Sequence, residues 1–359
     1  MSKNNRILKN KKFDKSRWIQ MPRDVIAGHD VLKQLPEVIV DLHITGPILI
    51  ISGAHTMETV GNTVKELLAD FEVHTVLVGK ITYEEIERVE EFAKERGISL
   101  MIGVGGGRVI DTAKITSYNL DIPFISIPTA ASHDGIASSR ASVKTEEGNV
   151  SLAAHPPIAI IADTGILAQA PRRMMASGFA DVVANYTAAL DWELSRNRTG
   201  EKVSEYALTL SMITAELMVE NANKIRLCDE NAAWIVMKAL FSSGVAMSIA
   251  GSSRPASGGE HKFAHMLEIL APDAALHGEA CGIGTIISMY LHGADWRKVR
   301  TALRDVGAPT KPEDIGLSRE IVIDAVMRAH EIRPERYTIF DDHMTIEKAA
   351  AAVAALYEE

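Results

Sequence analysis

Residues 47–52 (PILIIS), 73–78 (VHTVLV), 99–104 (SLMIGV), 122–127 (IPFISI) and 158–162 (IAIIA) are short apolar runs bounded by glycine, proline or polar residues. Runs of that length and β-branched content are strands buried on both faces. Between them the period lengthens. Residues 82–94 place apolar side chains every three or four positions among Glu, Lys and Arg, and Thr82 stands where an N-cap belongs. A second helix is predicted from the glycines after residue 104 through Asn119. Strands that alternate with helices predict a parallel sheet covered on both sides.

Near Asp163 the pattern changes. From there on strands are hard to find, and Ala, Met, Leu and Glu recur at helical spacing, most clearly over residues 203–219, 231–249 and 346–357. The expectation is an α/β domain over residues 1–170, then an all-α domain over residues 171–359, with the boundary near Pro171. A cleft between two such units is where a ligand site is expected.

Composition narrows the class. A chain of 359 residues exceeds one ordinary core, and 47% apolar with 24% charged residues describes a soluble globular protein. A net charge of -9 argues against a nucleic-acid surface. The basic run at residues 3–17 has no apolar segment behind it, so it is read as a mobile terminus and not as a secretory signal. Cys228 and Cys281 form no CxxC and no disulfide framework. No apolar run is read as approaching the roughly 20 residues that span a bilayer. The expected location is cytoplasmic, without membrane insertion.

Two loops carry candidate chemistry in the first half. In GVGGGRVIDTAK, residues 103–114, a strand turns into a helix through glycines, and a helix N-terminus offers unpaired N–H groups to a phosphate. Arg108 occupies the third glycine position of the Rossmann fingerprint, so the match is partial. In IPTAASHDG, residues 127–135, small hydroxyl residues leave a strand end where a cofactor cleft opens.

The second half holds three histidines close together. His261 and His265 are four apart on a predicted helix and share a face, while His277 starts a glycine-flanked segment able to return beside them. Imidazoles holding a divalent ion want an oxygen donor and an open position. Asp181, in GFADVVAN at the expected start of an apolar helix, is the candidate, since a buried carboxylate needs a cation or several donors. The other histidines outside these motifs are read as structural.

In order, the motifs GVGGGRVIDTAK, IPTAASHDGIASS, GFADVVANYTAALDW, SGGEHKFAHMLE and ALHGEACGIG resemble those of the archaeal sn-glycerol-1-phosphate dehydrogenases. These belong to the dehydroquinate synthase and iron-containing alcohol dehydrogenase superfamily. The likeness runs from about Trp18 to at least Gly284. It implies a Rossmann-like domain followed by an all-α metal-binding domain. The implied reaction is NAD(P)H-dependent reduction of dihydroxyacetone phosphate to sn-glycerol 1-phosphate for phospholipid biosynthesis. One zinc per subunit is implied on Asp181, His261 and His277. NADP or NAD contacts are implied at Gly107, Arg108, Val109, Ile110, Asp111, Thr129, Ala130, Ala131, Ser132 and Ser138. Substrate contacts are implied at Asp134, Asp181 and His265, with Asp134 and His265 as catalytic residues, and a homo-oligomer is usual.

Two expectations go further. No carboxylate follows PILIIS where NAD-preferring domains hold the ribose, so NADPH is expected to serve at least as well as NADH. For the substrate phosphate Arg254 is the first choice, ahead of Lys262 and Arg226, because a guanidinium binds phosphate through two bonds. The rival readings are a glycerol dehydrogenase, a dehydroquinate synthase and a catalytically silent binder. Nickel, iron or manganese also suit Asp with two His.

Overall fold

The five apolar runs fold as strands because their alternate side chains find an apolar layer on each side. The structure is a computed structural model that describes residues 19–145 and 148–358. The basic run at residues 3–17 lies outside them. The strands are β1 (Asp24–Gly28), β2 (Ile48–Ser52), β3 (Val73–Leu77), β4 (Leu100–Gly105), β5 (Phe124–Pro128), β6 (Arg140–Thr145), β7 (Gly148–Ala153) and β8 (Ala159–Asp163). Six form one parallel sheet in the order β1-β8-β5-β4-β2-β3, and β6 pairs with β7 as a separate antiparallel hairpin. In β2, Ile48 and Ile50 enter a cluster with Leu35, Ile39 and Val64 on one face. Leu49 and Ile51 enter another with Val89, Ala93 and Ile110 on the opposite face. The period of two thus splits one strand between two cores.

Thr82 caps the helix Tyr83–Glu95 as expected, its hydroxyl accepting the Glu85 N–H at 3.3 Å. Three strands escaped the pattern. β1 is an edge strand whose five residues are all at least partly exposed, and its apolar stretch, residues 25–27, is too short to stand out. The hairpin β6/β7 is rich in polar residues and pairs outside the main sheet.

After Asp163 every element among the described residues is helical. One of them corrects the expectation of no long apolar run: the helix Glu230–Ala250 has the length and composition to cross a membrane. Most of it is buried inside the protein, because it runs through the middle of the helical core with Ala232, Val236, Met237 and Leu240 all covered. That same core also takes in Ile160 and Ala162 of β8 and Ile136 and Ala137 from the loop after β5. Sheet and helices therefore share packing where they meet, and the cleft between them has solid walls.

Candidate metal centre and cofactor cleft

A cleft of about 1580 Å³ runs between the carboxyl ends of the strands and the helical half. Its sheet side lies where the strand order reverses, between β2 and β4, the usual ligand position in such folds. There β4 delivers Gly106 as the N-cap of the helix Gly107–Leu120, with no side chain capping that end. The exposed N–H groups suit a pyrophosphate. Gly107 is a glycine for a packing reason: a Cβ would stand 2.0 Å from Nε2 of His133. The His133 ring is half-buried, its Nδ1 accepts the Gly135 N–H at 2.9 Å, and desolvation lowers its pKa to about 4, so it is neutral.

Of the residues expected at a nucleotide, Gly107, Arg108, Val109, Asp111, Thr129, Ala130, Ser132 and Ser138 line the cleft. Ile110 and Ala131 do not. Ile110 points into the core between sheet and helices, and Ala131 packs with the helical cluster. These two side chains hold the loops in shape. Asp111 is also engaged, accepting the Ser142 N–H at 3.0 Å and Lys114 Nζ at 3.1 Å. Lys114 is fully buried and donates as well to the Gly135 and Arg140 carbonyls, which ties the loop after β5 to the glycine-turn helix.

Facing this loop are three helices that carry the donor set. Asp181 lies in the last turn of the helix Arg172–Val183, not at a helix start as expected; the helix bends at Ala184 before Asn185–Thr199 begins. His261 and His265 are on Gly259–Leu270, and His277 opens His277–Leu291. Close helix approach brings them together, since a Cβ on Gly278 would fall 2.0 Å from the Ser177 carbonyl oxygen. Oδ1 of Asp181 stands 3.6 Å from Nε2 of His277 and 3.8 Å from Nε2 of His261. Donors at the corners of a tetrahedral zinc site are separated by roughly 3.4 Å, so the three fit such an ion with little adjustment.

The chemistry of the donors fits too. Oδ2 of Asp181 accepts the Asp134 N–H at 2.9 Å, which leaves Oδ1 free. Nδ1 of His261 bonds to Oε1 of Glu260 at 2.8 Å, turning Nε2 towards Asp181. Glu260 is itself fully buried and held by the Gly258 N–H at 2.7 Å and the Thr187 hydroxyl at 2.6 Å. Burial holds the His261 and His265 imidazoles well below their usual range, as neutral rings with a lone pair to give. Burial raises the Asp181 and Asp134 carboxyls, and the Asp181 charge adds to the rise at Asp134. A carboxylate so placed needs a cation.

Two members of the site stand outside the sequence motifs' expected roles. Cys281, one turn after His277, has its Sγ 3.7 Å from Nε2 of His277 and joins Asp181, His261 and His277 as a possible donor. Burial pushes its thiol well above the ordinary range, so it stays protonated there. Ser243 donates to Oδ2 of Asp134 at 2.9 Å and accepts from Asn185 at 3.2 Å, which fixes the aspartate in the cleft. The i, i+4 spacing from His277 was the only signal for Cys281. His265 lines the cleft with its ring 5.8 Å from that of His277 and is outside the donor group.

Arg254 corrects an expectation. It is buried, its Nε donates to Glu201 at 2.9 Å, and its Nη atoms reach Ser195, Glu201 and the Tyr337 carbonyl. It does not line the cleft, because the short turn Arg254–Ala256 aims it away from the histidines. Lys262 is likewise spent, on Asp341 at 2.9 Å. Arg226 is also absent from the cleft lining.

Residues 26–171 match the family model described as iron-containing alcohol dehydrogenase. The chain is 71% identical over 358 residues to glycerol-1-phosphate dehydrogenase (NAD(P)+) of Methanocorpusculum labreanum, covering 100% of this chain and 99% of that protein. It is 58% identical to the protein of the same name from Methanosphaerula palustris, covering 99% and 98%. Among solved structures, a probable glycerol dehydrogenase from Sinorhizobium meliloti superposes with a TM-score of 0.79 at 23% identity, covering 95% of this chain and 98% of that one. That likeness is one of fold alone.

Proposed function

The chain belongs to the glycerol-1-phosphate dehydrogenase (NAD(P)+) family of oxidoreductases, and on that premise we propose that it reduces dihydroxyacetone phosphate to sn-glycerol 1-phosphate in the cytoplasm. The reading takes NADPH or NADH as cofactor and one zinc ion per subunit, in a homo-oligomer built of an α/β domain over residues 1–170 and a helical domain over residues 171–359. The observation that carries it is the meeting of two sites in one cleft: an uncapped helix N-terminus at Gly106–Gly107 and the trio Asp181, His261 and His277.

When bound, the nicotinamide supplies a hydride and the cation supplies Lewis acidity towards the ketone that receives it. The chain's own residues do the rest. Asp181 and the two imidazoles would hold the cation, and Glu260 keeps His261 in the tautomer that offers Nε2. Asp134, fixed by Ser243, orients a substrate hydroxyl. His265 is held neutral and faces the cleft, where its ring can exchange a proton with a substrate oxygen. The walls shared by sheet and helices keep these groups in place before substrate arrives.

The test is direct. Zinc-loaded protein is incubated with NADPH and dihydroxyacetone phosphate, and the configuration of the glycerol phosphate is determined. The reading expects the sn-glycerol 1-phosphate enantiomer. The opposite enantiomer, or turnover of dihydroxyacetone in preference to its phosphate, removes it.

A further inference from the structure

One end of the cleft carries a group of arginines that neither the donor set nor the glycine turn uses. Arg140 opens β6, and Arg333 lies in the turn after the short helix Ala329–Glu331; both line the same cleft as His261, His265 and His277. Arg336 stands behind them and donates from Nη1 to Oγ of Ser253 at 2.9 Å, and Ser253 also faces the cleft. All three arginines are partly buried.

They differ from Arg173 and Arg254 in having no acid partner among the described residues. Arg173, on the cleft rim, is gripped by Glu279 at 2.6 and 2.7 Å, and Arg254 by Glu201. Among the described residues, Arg140, Arg333 and Arg336 make no ion pair. Among the described residues the Arg140 guanidinium bonds to Ser151, from Nε to the hydroxyl at 3.3 Å and from Nη2 to the carbonyl at 3.1 Å. Glu335, next to Arg336, acts on Arg333 and Arg336 only through its field. Burial, then repulsion from neighbouring arginines, lowers the pKa of both: Arg140 acts on Arg333, and Arg333, Arg254 and Arg140 act on Arg336, bringing it to about 10. Arg333 is also held at φ 48°, a left-handed backbone that a side chain of this size adopts only under constraint.

Three cations drawn together in and beside a partly desolvated cleft, with no ion-paired acid among the described residues, are unfavourable unless an anion joins them. Their place in the cleft says which anion. The charges of Arg333 and Arg336 bear on His261 and His265, so the cluster adjoins the reaction end. The glycine turn at Gly106–Gly107 provides separately for the cofactor pyrophosphate.

We propose that Arg333 and Arg140 form the seat of the substrate's phosphate, with Arg336 as a positioning residue that sets the Ser253 hydroxyl towards it. A dianionic phosphate ester takes paired bonds from such forks, which a lysine does not provide. The seat explains how a cleft otherwise built for a polyol and a cation distinguishes a phosphorylated ketone from the free one. It rests on the reading of the substrate as a phosphorylated three-carbon ketone.

The experiment compares wild type, Arg333→Met and Arg140→Met with dihydroxyacetone phosphate and with dihydroxyacetone, and titrates each protein with inorganic phosphate by calorimetry. In both variants the ratio of kcat/KM for the phosphorylated over the free ketone falls at least about tenfold, the effect of one charge-assisted bond. The fall lies in KM, and phosphate binding weakens in parallel. Arg333→Lys gives an intermediate loss. A preference and a phosphate affinity equal to wild type in either Met variant overturn the proposal, as does a loss confined to KM for NADPH, which would move the cluster to the cofactor. If wild type turns over neither ketone, the functional reading fails, yet the phosphate titration still decides the seat. If one variant folds poorly, the other decides.

Discussion

At the scale of single residues the site is defined by which hydrogen bonds are spent and which lone pairs remain. Asp181 commits one oxygen to the Asp134 N–H, and His261 commits Nδ1 to Glu260, so each keeps one donor atom aimed at the same point. Glu260 is expected to tune the metal without touching it. In Glu260→Gln the dissociation constant for zinc, measured by competition with a chromogenic chelator, rises by about tenfold or more; an unchanged constant would make the carboxylate a packing group only. Lys80 is expected to bear on cofactor choice. It lines the cleft with His55 and Thr56 beyond β2 and β3, and the described residues give it no ion pair. Lys80→Glu is expected to lower kcat/KM for NADPH relative to NADH by at least about tenfold. An unmoved ratio would place the 2′-phosphate elsewhere.

At the scale of elements, the centre depends on how closely helices approach. The helices Arg172–Val183 and His277–Leu291 touch at Gly278, where any side chain meets the Ser177 carbonyl. Gly278→Val forces them apart and is expected to cost about 1–3 kcal/mol of stability. Thermal melting and metal content should fall together, and a variant that keeps both would refute the idea that this contact sets the donor spacing. Such contacts show what could be read from the chain beforehand. The apolar runs of β2 to β5 and β8, the Thr82 cap and the helical turn from His261 to His265 are local patterns, and each was legible. β1 was not, because its apolar stretch is only three residues long, and the hairpin β6/β7 was not, because its polar residues break the alternation. Arg254 misled for a related reason. It is near the histidine helix in sequence, yet one short turn sends its guanidinium to Glu201, whereas Arg333 reaches the cleft from a turn with no periodic signal at all.

At the scale of the whole molecule, an acidic chain of net charge -9 would bind the proposed anions by concentrating arginines in one cleft. Sheet and helices supply opposite walls of that cleft, and the apolar cluster they share around Ile160 and Phe179 keeps the walls in register. On the proposed reading, reductase activity in this cleft hinges on one cation at Asp181, His261 and His277. A metal titration probes that dependence without intermediaries: the protein is stripped with a chelator and zinc is titrated back while NADPH oxidation by dihydroxyacetone phosphate is followed. Turnover should be absent without metal, rise to saturation at one zinc per chain, and stay flat throughout the titration of Asp181→Ala. Full turnover in the metal-free protein, or normal saturation in Asp181→Ala, would show that the cation is not what drives the reaction.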